Sequence, residues 1–168
     1  DLSVLGKAIA GGLPLSAIGG KKEILERIAP GVLAHAGTFN SNPLCVEAAL
    51  VSLREIVTED AMNRASRLGE LLAQGYEDVI QDAKLVARVQ AIGLSGTILF
   101  TDREVTDWRS FLLCSVGKWF SYYLSMLNRG VIPSGTGSDE QWTVSVQHTK
   151  EDIEANVDAF KEVVNVVK

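Results

Sequence analysis

A lysine framed by glycines constrains this chain more than any other feature. Residues 3–14 run Ser-Val-Leu-Gly-Lys-Ala-Ile-Ala-Gly-Gly-Leu-Pro, so that Lys7 stands between Gly6 and the pair Gly11-Gly12 in an otherwise apolar stretch. Its nearest charged neighbours in sequence are Asp1 and Lys21, which leaves it without a local ion-pair partner. A lysine in apolar surroundings loses hydration, and this favours the neutral amine, the nucleophile that Schiff-base chemistry needs. The glycines permit positive φ or close approach of backbone to a flat ligand. The plainer reading is a snorkelling surface lysine in a glycine-rich turn, and on these residues alone it is the commoner one.

A second stretch carries chemistry of another kind. Residues 34–43 run Ala-His-Ala-Gly-Thr-Phe-Asn-Ser-Asn-Pro. They offer peptide N–H groups, the hydroxyl of Thr38 and the start of a helix at Pro43, which are the ingredients of an anion site. A well-capped loop between two helices uses the same residues and is the plainer reading.

The spacing of the two stretches resembles one enzyme family. Residues 5–24, LGKAIAGGLPLSAIGGKKEI, resemble the lysine segment of class III (subgroup II, fold type I) aminotransferases and of glutamate-1-semialdehyde aminomutase. Asp1, Leu5-Gly6-Lys7, Gly11-Gly12, Pro14 and Gly19-Gly20 stand at matching positions, with departures at Ala10 and Ser16. The resemblance implies that Lys7 binds pyridoxal 5'-phosphate. Ala36-Gly37-Thr38 and Asn42-Pro43 match the family's AGT-x-x-x-NP segment, in which the threonine hydrogen-bonds the cofactor phosphate across a dimer interface. That role carries over to Thr38 and implies a homodimer whose active sites are shared between chains. Residues 127–131 and 144–154 resemble the family's closing segment more weakly. His148 there reads as a loop or cap residue, and Arg129 as an answer to a helix dipole.

Composition narrows the alternatives. With 46% hydrophobic and 22% charged residues, 168 residues are ordinary for a soluble globular chain. A net charge of −5 and the lack of a lysine/arginine block argue against a nucleic-acid partner. No apolar run approaches the roughly 20 residues of a membrane span. Cys45 and Cys114 are too few and too far apart for a zinc site or disulfide framework, so no metal is expected and a reducing cytoplasm is the default. A phosphate-loop nucleotide site fails at Ala8, where such a loop needs Ser or Thr, and because the glycine pair follows the lysine.

Along the chain, residues 1–7 predict a strand end and turn, 13–20 a strand or hairpin arm, and 22–28 a short helix stopped by Pro30. Residues 31–41 predict an ordered loop. Asn42 and Pro43 cap and open a helix to about residue 57, striped by Ala49, Leu50, Leu53, Ile56 and Val57. A long helix over 61–82 buries Leu68, Leu71, Leu72, Tyr76, Val79 and Ile80. Strands follow over 85–92 and 97–101. One helix is expected over 108–127, facing inward with Phe111, Leu112, Val116, Trp119, Tyr123 and Leu127 and ended by Gly130. Short strands over 131–133 and 141–146 flank a polar loop. The capping box at Thr149 and Asp152 opens a last helix that buries Ile153, Val157, Phe160, Val163 and Val164.

The expected fold class is therefore α/β, the C-terminal part of a fold type I pyridoxal-phosphate-dependent transferase. Residues 1–59 are read as the end of the large cofactor-binding domain, 60–83 as a connecting helix, and 84–168 as a small α+β domain. The implied reaction is amino transfer between an amino acid, with β-amino or aryl substrates favoured by Phe39 and Asn40, and a 2-oxo acid. The alternatives are glutamate-1-semialdehyde aminomutase and a non-catalytic interaction module. The family's pyridine-facing aspartate, ring-face aromatic and phosphate loop lie upstream of its lysine, so these 168 residues are expected to act only within a longer chain. Arg88, Arg103 and Arg109 are equal candidates for binding a substrate carboxylate.

Overall fold

A computed structural model describes residues 1–28, 32–135 and 137–168; Pro30, the expected helix stop, lies outside them. The chain divides into two compact units, Asp1–Glu59 and Asp60–Lys168.

The first unit begins with strand β1 (Leu2–Leu5), a 3-10 turn over Lys7–Ala10, and strand β2 (Ala17–Gly20). The strands pair antiparallel from Leu2 opposite Gly20 to Leu5 opposite Ala17. Gly20 has to be glycine, because a Cβ there would run into the carbonyl oxygen of Asp1 and the side chain of Leu2. β2 is shorter than the expected arm. Leu13 and Leu15 are spent on consecutive turns, their N–H groups bonding to Ala10 O and Leu13 O. Helix α1 covers only Lys22–Leu25, continued to Ile28 by single turn bonds. Helix α2 (Pro43–Val51) starts with Pro43 in its first turn, and Asn42 Oδ1 accepts from Leu44 N and Cys45 N. It runs on into a π turn over Ser52–Ile56.

α2 packs against the lysine turn through small residues: Ala10, Cys45, Ala49 and Ser52 are the buried positions among the described residues of this unit. The expected inward stripe is corrected here. Ala49 is buried, but Leu50, Leu53, Ile56 and Val57 are exposed, as are Leu2, Val4, Leu5 and Ile18 on the hairpin. The small side of the helix, at i, i+4 and i+7 from Cys45, meets the turn, and the large apolar side chains face away. A helix apolar nearly all round belongs to the interior of a larger body.

The second unit has its own core. Helix α3 (Glu59–Ala83) is followed by strands β3 (Arg88–Ile92) and β4 (Ser95–Leu99), helices α4 (Trp108–Phe111) and α5 (Val116–Leu127), strand β5 (Trp142–Thr143) and helix α6 (Lys150–Val167). The strands form one antiparallel sheet in the order β3-β4-β5. Leu68, Leu72, Tyr76 and Val79 of α3 meet Ile98, Trp119, Tyr122, Met126, Trp142 and Phe160 in a single apolar cluster. Tyr76 sits at its centre, stacked on Phe160 at 4.4 Å and edge-on to Trp142 at 5.4 Å. Burial pushes the Tyr76 and Tyr122 phenols well above their ordinary range. The two hydroxyls satisfy each other at 2.6 Å, and Tyr76 donates to Asn156 Oδ1 at 2.8 Å.

Three expectations are corrected in this unit. The helix over 108–127 is two helices. Asp107 caps α4 with a reciprocal box to Ser110, and Ser115 starts α5 afresh, its N–H held by Phe100 O at 2.9 Å. The break resets the phase, so Trp119, Tyr122 and Met126 are buried while Leu112 and Val116 are exposed. Leu71 of α3 is likewise exposed. Residues 131–133 form no strand, because Val131 closes the preceding helix: with Gly130 at φ 78°, Val131 N bonds to Met126 O and Gly130 N to Leu127 O, a Schellman motif.

Two glycines give a stability contrast. A Cβ on Gly69 of α3 would meet the carbonyl of Gly93 and Leu94 Cα, whereas one on Gly117 of α5 would meet nothing within 4 Å. Gly69→Ala should destabilise the full-length protein by about 1–3 kcal/mol. Gly117→Ala should be neutral or stabilise it by about 0.4–1 kcal/mol. Thermal midpoints of the two variants in parallel check this, and equal shifts would refute it.

Candidate functional site

The turn that carries Lys7 is built by its glycines. Gly6 is extended, with φ −169°, and Lys7 enters the left-handed region at φ 55°. Gly11, at φ 60°, closes the turn by donating to Ala8 O at 3.0 Å, and Gly12 follows at φ 96°. The two glycines occupy conformations that L side chains avoid, but Lys7 occupies one as well. A non-glycine residue held there costs about 1–2 kcal/mol, and such residues cluster at functional sites.

The charges flanking the lysine in sequence cancel each other. Because Leu2 pairs with Gly20, Asp1 and Lys21 emerge side by side, and their ion pair measures 2.6 Å. The Lys7 amine has no hydrogen-bond or ion-pair partner among the described residues. Its side chain is exposed. The apolar surroundings expected from the sequence are therefore not supplied within this unit, since Val4 and Leu5 also face outward.

The Thr38 segment is a turn over residues 38–41 that leads directly into α2. Asn40 N bonds to Gly37 O and Asn42 N to Phe39 O, and Ser41 takes φ 57°. The helix start is not the open anion site that the sequence suggests. Pro43 has no N–H, Asn42 Oδ1 takes those of Leu44 and Cys45, and Asn42 O takes that of Val46. What remains uncommitted is the Thr38 hydroxyl with the N–H groups of Thr38, Phe39 and Ser41. Thr38 and Phe39 are both exposed, Phe39 at 81%. The lysine turn and the helix that follows Thr38 pack together, but no hydrogen bond joins Lys7 to Thr38.

His148, Arg129 and Arg88 make local contacts. His148 Nδ1 accepts the N–H of Ser145 at 3.0 Å. Arg129 donates to Ser125 O at the end of α5 and pairs with Glu162 at 2.8 Å. Arg88 donates to Asp102 O. Among the described residues no cluster of His, Cys, Asp and Glu could hold a metal, and no helix is long and apolar enough to cross a membrane. Sequence reasoning missed the strained φ of Lys7, the Asp1–Lys21 pair and the Tyr76–Tyr122–Asn156 network. Only the second had a usable signal, the equal arms flanking the lysine turn.

Comparison with known proteins places this arrangement in a family. The family model for class III aminotransferases matches residues 1–164, and the chain belongs to that family. A curated relative, the glutamate-1-semialdehyde 2,1-aminomutase of Thermomicrobium roseum, is 35% identical over 164 residues, which are 96% of this chain and 37% of the relative. That of Chlorobaculum parvum is also 35% identical, over 95% of this chain and 37% of its own length. The chain thus spans less than two fifths of the length of these relatives. Among solved structures, an omega-transaminase from Sphaerobacter thermophilus matches with TM-score 0.87 and 29% identity, over 99% of this chain and 39% of that one. A glutamate-1-semialdehyde aminomutase from Pseudomonas aeruginosa PAO1 matches with TM-score 0.86 over 100% of this chain and 39% of that one, at 24% identity, which speaks for the fold. The fold is mixed α/β, of the fold type I kind.

Proposed function

We propose that these residues are the C-terminal portion of a pyridoxal-phosphate-dependent aminotransferase that works as a homodimer and moves an amino group between an amino acid and a 2-oxo acid. Residues 1–59 then end its large domain, 60–83 connect, and 84–168 form the small domain. The observation that carries this reading is the lysine turn itself: an unpaired amine at a strained, glycine-framed position in a chain of the class III family. The outward apolar side chains of the first unit fit a surface that the rest of a large domain covers.

The residues present fit the cofactor. Lys7 offers an uncommitted amine for covalent attachment, and the Thr38 hydroxyl with the Thr38 and Phe39 N–H groups offers uncommitted donors for a phosphate. Pyridoxal phosphate, when bound, supplies an electron sink for the carbanion formed at the substrate carbon. Lys7 Nζ would hold the cofactor and, when not bonded to it, would take the proton from the substrate Cα as general base. Thr38 of one chain is assigned to the phosphate of its partner's site. The exposed Phe39, next to Thr38, offers an aromatic or apolar substrate burial of the order of 1.5–3 kcal/mol.

The second reading, glutamate-1-semialdehyde aminomutase, is favoured by the names of the curated relatives at 35% identity. One assay of the full-length enzyme separates them. Transfer from an aryl or β-amino acid to 2-oxoglutarate is expected. Isomerisation of glutamate-1-semialdehyde without added 2-oxo acid, and without transfer between separate molecules, would overturn the first reading in favour of the second.

A further inference from the structure

We infer that the outer face of α5 pairs with α5 of a second copy of this chain, the two helices crossing about a two-fold axis near Phe120. This inference stands apart from the aminotransferase reading, because it uses none of the residues assigned to the cofactor.

The exposed positions of α5 are Val116, Gly117, Phe120, Leu124 and Leu127, and none of them is polar. Phe120 and Leu124 leave 47% and 56% of their surface uncovered. The helix meets the core on its other side, through Trp119, Tyr122 and Met126. Its one charged residue, Lys118, donates to the Lys168 carbonyl at 2.8 Å. The other two long helices of this unit are different. Glu70, Glu77, Asp78 and Asp82 of α3 are exposed, as are Glu151, Glu154, Lys161 and Glu162 of α6. Those faces are suited to water, and the face of α5 is suited to contact. Leu112 and Leu113, just before the helix, are exposed too.

Shape and charge favour a copy of α5 as the occupant. Val116, Phe120 and Leu124 recur every four residues and form a ridge. One position further on, Gly117, Ser121 and Ser125 form a parallel row of small residues. A Cβ on Gly117 would meet nothing within 4 Å, and the Ser121 hydroxyl donates back to Gly117 O at 3.1 Å, so the row is shallow and spends its own donor. A ridge beside a hollow of the same pitch is self-complementary. When two such helices cross at about −50°, the ridge of each can lie in the hollow of the other. A two-fold axis makes that contact twice. Like charges on such a face would repel its own copy, and this one carries none.

The test is the solution mass of the full-length protein, measured by sedimentation at micromolar concentration. Phe120→Lys and Phe120→Glu each place like charges at the axis. Each variant alone should raise the dissociation constant of this contact by at least about 100-fold and halve the mass of the assembly. Mixing the two variants should restore the mass, because opposite charges then meet at the axis. A misfolded variant cannot give that restoration. If neither variant changes the mass, the face is covered by residues of the same chain or by another protein, and the inference is overturned. A mass halved in both variants and not restored on mixing would overturn it as well.

Discussion

Lys7→Ala is expected to abolish amino transfer by the full-length enzyme, with a loss of at least about 10²–10⁴-fold from the missing proton transfer alone. Lys7→Arg should fare no better, because a guanidinium neither deprotonates nor forms the covalent link. Borohydride reduction of the holoenzyme, followed by peptide mapping, should place the cofactor label on Lys7. Label on another residue, or an active Lys7→Ala enzyme, would sink the assignment. The backbone gives a readout that catalysis does not touch. Lys7 stands at φ 55°, so a glycine relieves strain that an alanine keeps. Lys7→Gly should be as inactive as Lys7→Ala yet more stable by about 1–2 kcal/mol. That pairing of lost activity with gained stability is the mark of a residue held in place for chemistry.

Local signals in the sequence carried most of what proved correct. Asn42-Pro43 and the Thr149/Asp152 box fix helix starts through bonds that span only a few residues, and both stand where their chemistry puts them. The lysine and its glycines were legible for the same reason, because a turn is decided by its own residues. What failed depended on partners. Periodicity finds an apolar face but not what that face meets. In α2 the small side, Cys45, Ala49 and Ser52, is buried, and the large apolar side is not. Ser115 looked like an ordinary polar position within one long helix, yet it starts a new one, because Phe100 O holds its N–H. At the candidate site, the anion-binding promise of the helix start was cancelled by the cap that made the helix legible. Asn42 consumes the N–H groups that a phosphate would have used, and the uncommitted donors move back to Thr38 and Phe39. Lys7 was expected in apolar surroundings from its sequence neighbours, but Val4 and Leu5 face outward, so this unit does not supply that desolvation.

That dependence on other residues sets up the Thr38 experiment. Its hydroxyl is exposed and uncommitted, on a turn with no hydrogen bond to Lys7. A charge-assisted hydrogen bond to a phosphate contributes about 1.5–3 kcal/mol, so Thr38→Ala should weaken cofactor binding by roughly 10- to 100-fold. The effect should appear as lost activity at low cofactor concentration and recover as the cofactor approaches saturation. Whether the threonine serves its own chain or the partner is decided by mixing Lys7→Ala and Thr38→Ala chains. If it serves the partner, each mixed dimer has one site with both groups intact and one with neither. Random pairing then restores about a quarter of all sites, far above either parent at limiting cofactor. If it serves its own chain, every site in the mixed dimer carries one lesion, and the mixture is no better than the average of its parents. Recovery near a quarter supports an active site built from two copies of this chain; no recovery places Thr38 and Lys7 in the same one.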